Sequence, residues 1–548
     1  MQSDPDRRAA AYPGIRVDHL AERGDPDRPA VTHRGETVTY ATLRRRVTHA
    51  AAGLLQLGVG HGDRVVVYTD KRIDTVVVML AVARVGAVLV PVNPHLRERQ
   101  LRHVVSDCTP RVVVTVAERV GIVRAAGGNG VAHVVTLDDV TAGRPAGGDP
   151  AVAAAGAGTV ENDPAAIFYT SGSTGSPKGV VVSHRNLVAG AESVAGYLAH
   201  RADDVILSVL PLSFDAGFSQ VTTALTAGAH LVLTTYLRPG QVPLLCARHR
   251  VTGLTCVPPT WCELASADWP PEAAASLRYF ASTGGAMPRT TLDGLRHRLP
   301  RTQPFLMYGL TEAFRSTYLD PAEVDRRPGS IGKAIPNADV RVLRPDGTEC
   351  QPGEHGELVH RGPTVALGYW NSPEATAHRF RPVPDRNPGL RGDVAVWSGD
   401  LAYRDEEGFL YFVGRTDEMI KTSGYRVSPT EVESAALATG LTAEAAAFGV
   451  DDPKQGQRIV LAVPSPCDTE LLTRALREIL PHHQVPGTVV TVPRLPRSPN
   501  DKYDRPALRR MILDGLARPV APAAPVADAR TVSPTTAPPP ASTPPESR

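Results

Sequence analysis

Along residues 12–413, short β-branched runs alternate with longer helical stretches. The runs include Arg64–Tyr68, Ala87–Val92, Arg111–Val116 and His230–Thr235, and stretches such as Tyr40–Leu57 and Arg185–Leu198 lie between strand-like runs. That alternation predicts α/β layers built on largely parallel sheets. Between Ala338 and Tyr369 the helices drop out. The runs DVRVL, GELVHRG and ALGYW, separated by Pro345-Asp346-Gly347 and Pro352-Gly353, predict a small antiparallel β unit. Beyond Gly414 the texture changes again. A hairpin-like pair (Leu410–Val413, Met419–Ser423) precedes a helix from Pro429, strands at Ala446–Val450 and Arg458–Val463, and a helix at Thr469–Ile479. This reads as a compact α+β domain. From Ala517 the Ala/Pro/Thr-rich sequence cannot bury enough apolar surface to fold, so a disordered tail over 517–548 is expected.

Composition narrows the class. The chain has 548 residues, 42% of them hydrophobic, and a formal net charge of +2. That charge gives no electrostatic case for nucleic acid or an anionic membrane surface. The most membrane-like run, Thr75–Val92, is broken by Arg84 and Gly86 and contains Pro91, so a buried helix leading into a buried strand is expected. The N-terminal MQSDPDRRAAAYPG lacks the apolar core of a signal peptide. None of the six cysteines has CxxC spacing or a His cluster beside it, which favours reduced thiols in a cytoplasmic protein. Basic residues are almost all Arg. The only lysines are Lys71, Lys178, Lys333, Lys421, Lys454 and Lys502, and half of them fall in the motifs below.

The first motif is FYTSGSTGSPKGVVVSH, Phe168 to His184. A strand-like run enters a Ser/Thr/Gly loop, followed by Lys178 and another strand. Glycines let backbone N–H groups approach an anion closely. The hydroxyls of Thr170, Ser171, Ser173 and Thr174 add donors, and Lys178 adds a charge. The result is a phosphate cradle. It is not a Walker A loop, because the spacing differs and a strand follows the lysine. Three more motifs follow: LMYGLTEAFRS from Leu306, SGDLAYRDEEGFLYFVGRTDEMIKTSGYR from Ser398, and LPRSPNDKYDR from Leu495. Each alone is compatible with a surface turn, but the four in this order and spacing are specific.

Together they resemble the superfamily of acyl- and aryl-CoA synthetases, nonribosomal adenylation domains and luciferases. The resemblance covers Tyr12 to Leu513. It implies an α/β fold with a large N-terminal domain (1–416) of two layered α/β sheets plus a small β-barrel-like unit, and a small mobile α+β C-terminal domain (417–516). It implies ATP and Mg²⁺ as cofactors and an AMP-forming acid–thiol ligase. Residue by residue, Thr170, Ser171, Gly172, Ser173, Thr174, Gly175 and Lys178 would grip the β- and γ-phosphates. Gly284, Gly285 and Ala286 would border adenine and the acyl pocket. Tyr308, with Gly309 beside it, would stack on adenine. Thr311 would touch the α-phosphate, and Glu312 would hold Mg²⁺. Asp400 and Arg415 would meet the ribose, Asp417 would be the hinge, and Lys502 would reach in for adenylation. Thr170, Lys178, Glu312 and Lys502 would carry the catalysis. Asp501 stands where the family often has Gly, and either pairs with an Arg or caps the turn. Lys421 either lines the thiol-transfer face or is a solvated hairpin residue.

LPLSFDAGFSQ, Leu210 to Gln220, bears on the substrate. Amino-acid-activating members of the family carry Phe-Asp here, as Phe214-Asp215 does, and the Asp binds the substrate ammonium. A helix cap by Ser213 or Asp215 is the alternative. With LTEAFRSTYL, this run resembles free-standing ligases that load amino or β-amino acids of natural-product pathways onto a separate carrier protein. Arg315 would then face a second substrate carboxylate or pair internally. No attachment site for phosphopantetheine is evident, so the acceptor thiol is expected in trans, from an acyl or peptidyl carrier protein or from CoA. An acyl-CoA synthetase for fatty or aryl acids, a luciferase-like oxidase and a non-catalytic relic are the competing readings. A relic should have lost Lys178, Glu312, Asp400 or Lys502, and all four are present.

Overall fold

The computed structural model describes residues 16–127, 130–142, 152, 155–170, 177–235, 238–383, 393–416, 418–422, 425–452, 455–498 and 503–516. Ser171, Gly172, Ser173, Thr174 and Gly175, together with Asp417, Asp501, Lys502 and the tail from Ala517, lie outside the described residues.

Two sheets carry the large α/β part. One has seven strands in the order Gly368–Tyr369, Lys178–Ser183, Pro164–Thr170, Val88–Pro91, Arg64–Val67, Val112–Thr115, His133–Thr136. The other has nine, in the order Lys333–Ala334, Thr317–Leu319, Gln303–Tyr308, Tyr279–Ser282, Gly253–Cys256, Val205–Ser208, His230–Leu233, Pro29–His33, Glu36–Thr39. Interior pairings are parallel in both sheets, and antiparallel strands occupy the edges. Period-two alternation sorts the side chains by face. In Arg64–Val67, Val65 and Val67 join the core between the sheets, while Val66 joins a second core on the outer face. In the other sheet Leu231 faces the shared core and Val232 the outer one. Helices Tyr40–Gln56 and Ile73–Arg84 contribute Leu43, Val47, Val76 and Leu80 to the shared core. The run Thr75–Val92 is thus a buried helix, a left-handed turn at Gly86 (φ 72°) and the buried strand Val88–Pro91. No helix among the described residues is long and apolar enough to cross a membrane.

A five-stranded antiparallel sheet follows, formed by Asp339–Leu343, Gly356–Arg361, Val394–Arg404, Phe380–Pro382 and Leu410–Arg415. The third run expected in this unit belongs elsewhere. Gly368 and Tyr369 pair with Val181 and Val180 at the edge of the seven-stranded sheet. The expected hairpin across Gly414 is also absent. Leu410–Arg415 pairs with Val394–Arg404, whereas Ile420–Thr422 pairs with Tyr425–Val427 in a separate five-stranded sheet. That last sheet, with helices Pro429–Ala438 and Thr469–Ile479, closes on its own core of Ile420, Val432, Leu461 and Leu472. The chain packs as one unit through Arg505, and the helix Arg505–Leu516 falls in a second from Pro506 on.

Candidate active site

Three of the expected site segments follow the carboxyl ends of parallel strands, where open α/β sheets place their ligands. Asp215 comes after Val205–Ser208, Gly284 after Tyr279–Ser282, and Thr311 and Glu312 after Gln303–Tyr308.

Strands Pro164–Thr170 and Lys178–Ser183 are antiparallel, and register sets Thr170 directly opposite Lys178. Lys178 Nζ lies 5.4 Å from the centre of the Tyr369 ring. The Tyr369 hydroxyl donates to Glu312 Oε1 at 2.6 Å. One tyrosine therefore joins the lysine of the first motif to the glutamate of the second. Burial, reinforced by the Glu312 charge, raises the Tyr369 pKa and keeps the phenol a donor.

After the 3₁₀ turn Thr311–Ala313 the chain reverses sharply at Phe314, whose φ and ψ are 53° and −53°. Arg315 N donates to Ala313 O at 2.6 Å, closing a γ-turn of the strained hand. Such a backbone costs on the order of 1–3 kcal/mol and persists only where packing enforces it. The Phe314 ring is buried against Gly190, where an added Cβ would come within 2.5 Å of it. The turn holds Arg315 in the interior, 5% exposed. Arg315 Nη1 donates to Thr283 Oγ1 at 3.0 Å, and among the described residues its Nε has no partner and no carboxylate pairs with it. The internal ion pair considered for Arg315 is thus absent among those residues. Ser282 Oγ and Ser316 Oγ, flanking the same region in sequence, are also buried without hydrogen-bond partners among them. Gly284 takes a positive φ of 82°, and Gly285 sits against Pro258.

Asp215 opens the helix Asp215–Thr226 and is 5% exposed. The N-cap is Phe214, which has no capping side chain, so neither Ser213 nor Asp215 is the helix cap considered from sequence. The positive end of the helix dipole favours a carboxylate at this position. Gly217 is packed so tightly that an added Cβ would fall 1.9 Å from the carbonyl oxygen of Pro211. Lys71 Nζ donates to the carbonyls of Ser208, the last residue of strand Val205–Ser208, and Thr234, each at 2.9 Å. Burial drives its pKa well below the ordinary lysine value.

On the five-stranded sheet, Asp400 and Arg415 are cross-strand partners, with Arg415 Nη1 3.2 Å from Asp400 Oδ1. The Tyr308 hydroxyl donates to Asp400 Oδ2. Burial and the Asp400 charge raise the Tyr308 pKa strongly, so it stays protonated. His360, fully enclosed, lies 6.0 Å from the Tyr308 ring, and neither of its ring nitrogens has a partner among the described residues. Its pKa is pushed down to about 3 by burial. Lys421 lies on the exposed face of Ile420–Thr422.

The structure thus joins Lys178 and Glu312 through Tyr369, with Thr170 opposite Lys178; it sets Arg315 with Thr283, next to Gly284, and Tyr308 with Asp400 and Arg415. Tyr369, Thr283, Lys71 and His360 carried no site role from sequence, although Lys71 stood out as one of six lysines and the paired aromatics Tyr369-Trp370 were a signal for the first.

The chain matches the family profile described as AMP-binding enzyme over residues 18–370, and that of the AMP-binding enzyme C-terminal domain over 431–502. It is 34% identical to the L-proline–[L-prolyl-carrier protein] ligase of Streptomyces coelicolor, covering 95% of this chain and 100% of that protein. It is 32% identical to a feruloyl-CoA synthase of Amycolatopsis sp, covering 89% of this chain and 96% of that one. The fold superposes on ATP-bound MatB from Rhodopseudomonas palustris with a TM-score of 0.82 and 28% identity, covering 91% of this chain and 99% of that one. Other curated relatives, 30% identical, are far larger, and the chain spans 9% and 12% of their lengths.

Proposed function

The chain belongs to the AMP-binding enzyme family, and from that premise we propose that it is an ATP-dependent, AMP-forming carboxylic acid–thiol ligase. It adenylates an amino or β-amino acid and passes the acyl group in trans to the phosphopantetheine thiol of a carrier protein. The observation that carries the first half-reaction is the Lys178–Tyr369–Glu312 contact beside Thr170. A substrate carboxylate oxygen attacks the α-phosphorus of ATP, and pyrophosphate leaves. Lys178 and the loop from Thr170 hold the departing phosphates, while Lys502 brings a second cation from the C-terminal part. Tyr308 and Gly309 flank the adenine, Asp400 and Arg415 take the ribose, and Thr311 touches the α-phosphate. Mg²⁺, when bound, neutralises phosphate charge. Such an ion takes one or two carboxylates plus phosphate oxygens, which suits Glu312. We assign domain limits at 1–416 and 417–516 with Asp417 as the pivot, so that the second domain reorients between adenylation and thiol transfer.

The substrate class rests on two buried charges. Asp215 receives the substrate ammonium. Arg315, a buried cation without an acidic partner among the described residues, receives a second carboxylate. A buried charge is tolerated when it is paired, and for Arg315 a substrate carboxylate supplies the pairing. The likeness to feruloyl-CoA synthase favours a second reading, an aryl or fatty acid joined to CoA. ATP–pyrophosphate exchange across α-amino, β-amino, amino-dicarboxylic, aryl and fatty acids decides between them. Exchange strongest with an amino-dicarboxylic acid supports the first reading, and preference for plain aryl or fatty acids over every amino acid overturns it. Acceptor identity follows from thioester formation on a phosphopantetheinylated carrier protein against free CoA.

A further inference from the structure

Two strands flank the segment between Thr170 and Pro177, and both of their ends are tied to a single helix, Glu98–Cys108. That helix buries Leu101, Val104, Val105 and Cys108 against the outer face of the seven-stranded sheet. Four residues apart, and so one above the other along its flank, stand His103 and Asp107. The Tyr169 hydroxyl donates to Asp107 Oδ2 at 2.5 Å, one residue before Thr170. His103 Nε2 lies 2.8 Å from the carbonyl oxygen of Pro177, one residue before Lys178. A carbonyl only accepts, so His103 is the donor, and its Nε2 carries a proton. The His103 ring also meets the Tyr169 ring edge to face at 6.3 Å. The Asp107 carbonyl accepts from Trp370 Nε1 at 3.1 Å and from Asn371 Nδ2 at 2.8 Å, and Trp370 N donates to Gly179 O at 2.8 Å.

We propose that His103 and Asp107 are positioning residues for nucleotide phosphates, holding Thr170 and Lys178 at fixed spacing through Tyr169 and Pro177. The proposal rests on the reading of Thr170 and Lys178 as phosphate ligands. The geometry suits the task. Strand pairing fixes Thr170 and Lys178 relative to each other, and one helix bonded to the residue before each of them fixes the pair relative to the outer face of the sheet. A charged ligand gains from donors held in place beforehand, because no reorganisation is needed on binding. Burial raises the Tyr169 pKa, so its hydroxyl stays a donor.

The test is equilibrium binding of MgATP to the full chain, with pyrophosphate exchange as the second readout. His103→Leu removes the donor and keeps bulk, whereas His103→Gln restores an amide N–H of similar reach. Tyr169→Phe deletes one hydroxyl and leaves the ring on His103. The expected result is MgATP binding weakened on the order of tenfold by His103→Leu and by Tyr169→Phe. His103→Gln should be close to wild type, and the KM for the acid should be unchanged throughout. Should His103→Leu fail to fold, Tyr169→Phe with Asp107→Asn carries the test, and their double variant should be no worse than either single one. If the wild type binds MgATP and His103→Leu and Tyr169→Phe bind it equally well, the clamp is overturned while the ligase reading stands. If His103→Gln is as weak as His103→Leu, the role is packing and the clamp is overturned. If the wild type binds no MgATP, the ligase reading falls and the clamp with it.

Discussion

Asp215 sets the sharpest expectation for a single residue. Asp215→Asn keeps the shape and removes the charge, so the KM for an amino-acid substrate should rise roughly ten- to a hundredfold while that for ATP changes little. Deaminated analogues should be poor substrates for the wild type, because they leave the carboxylate facing no ammonium, and the Asn variant should narrow that gap. Unchanged acid preference in Asp215→Asn would remove the ammonium role. Lys502 makes the complementary case. Lys502→Ala should nearly abolish adenylate formation, a loss on the order of 3 kcal/mol or more in the transition state. It should spare thioester formation from a preformed adenylate, and single-turnover assays of the two steps separate these effects. Equal loss in both would show that Lys502 acts throughout the cycle.

At the scale of elements, the helix Asp215–Thr226 is placed by its own third residue. A Cβ on Gly217 would meet the Pro211 carbonyl oxygen at 1.9 Å, against backbone that cannot rotate away. Gly217→Ala must therefore push the segment before Asp215 off the helix, costing about 1–3 kcal/mol. A lower melting temperature together with a raised acid KM is the expected pair. A variant as stable as wild type with normal KM would show that the segment yields freely. Elements also reveal where pattern reading stops. The run ALGYW has the look of a strand in a small β unit, and Gly368–Tyr369 is a strand, but its partner is Lys178–Ser183. That displacement delivers Tyr369 to both Lys178 and Glu312.

Across the whole molecule, buried imidazoles contribute to the response to acid. His184, His230 and His360 have pKa values pushed down to about 4, 4 and 3, chiefly by burial. The unfolded chain takes up protons near pH 6.5, where the folded chain refuses them. Stability from these groups is complete above that pH and is lost as pH falls through the window toward 4. Each should cost on the order of 1 kcal/mol by pH 5. Urea midpoints at pH 7 and pH 5 check this, and His360→Leu should flatten the slope. Equal midpoints in the wild type would mean that the imidazoles hydrate or find partners in the fold.

The sequence by itself determined the α/β alternation, the burial of Thr75–Val92, the change of texture after Gly414 and the four motifs, because periodicity and motif spacing are local properties of the chain. It also nominated Asp215 and Arg315 while leaving open whether one was a cap and the other internally paired. Tertiary structure bears on both among the described residues. The N-cap fell to Phe214, and the γ-turn at Phe314 carried Arg315 inside beside Thr283, 32 residues earlier. It alone brought Tyr369 to Glu312, 57 residues apart, and His103 to Pro177, 74 apart. Neither member of such a pair carries a local mark of the other. Hydrogen bonds between distant segments depend on strand order and register, which emerge only when the sheets pack against one shared core.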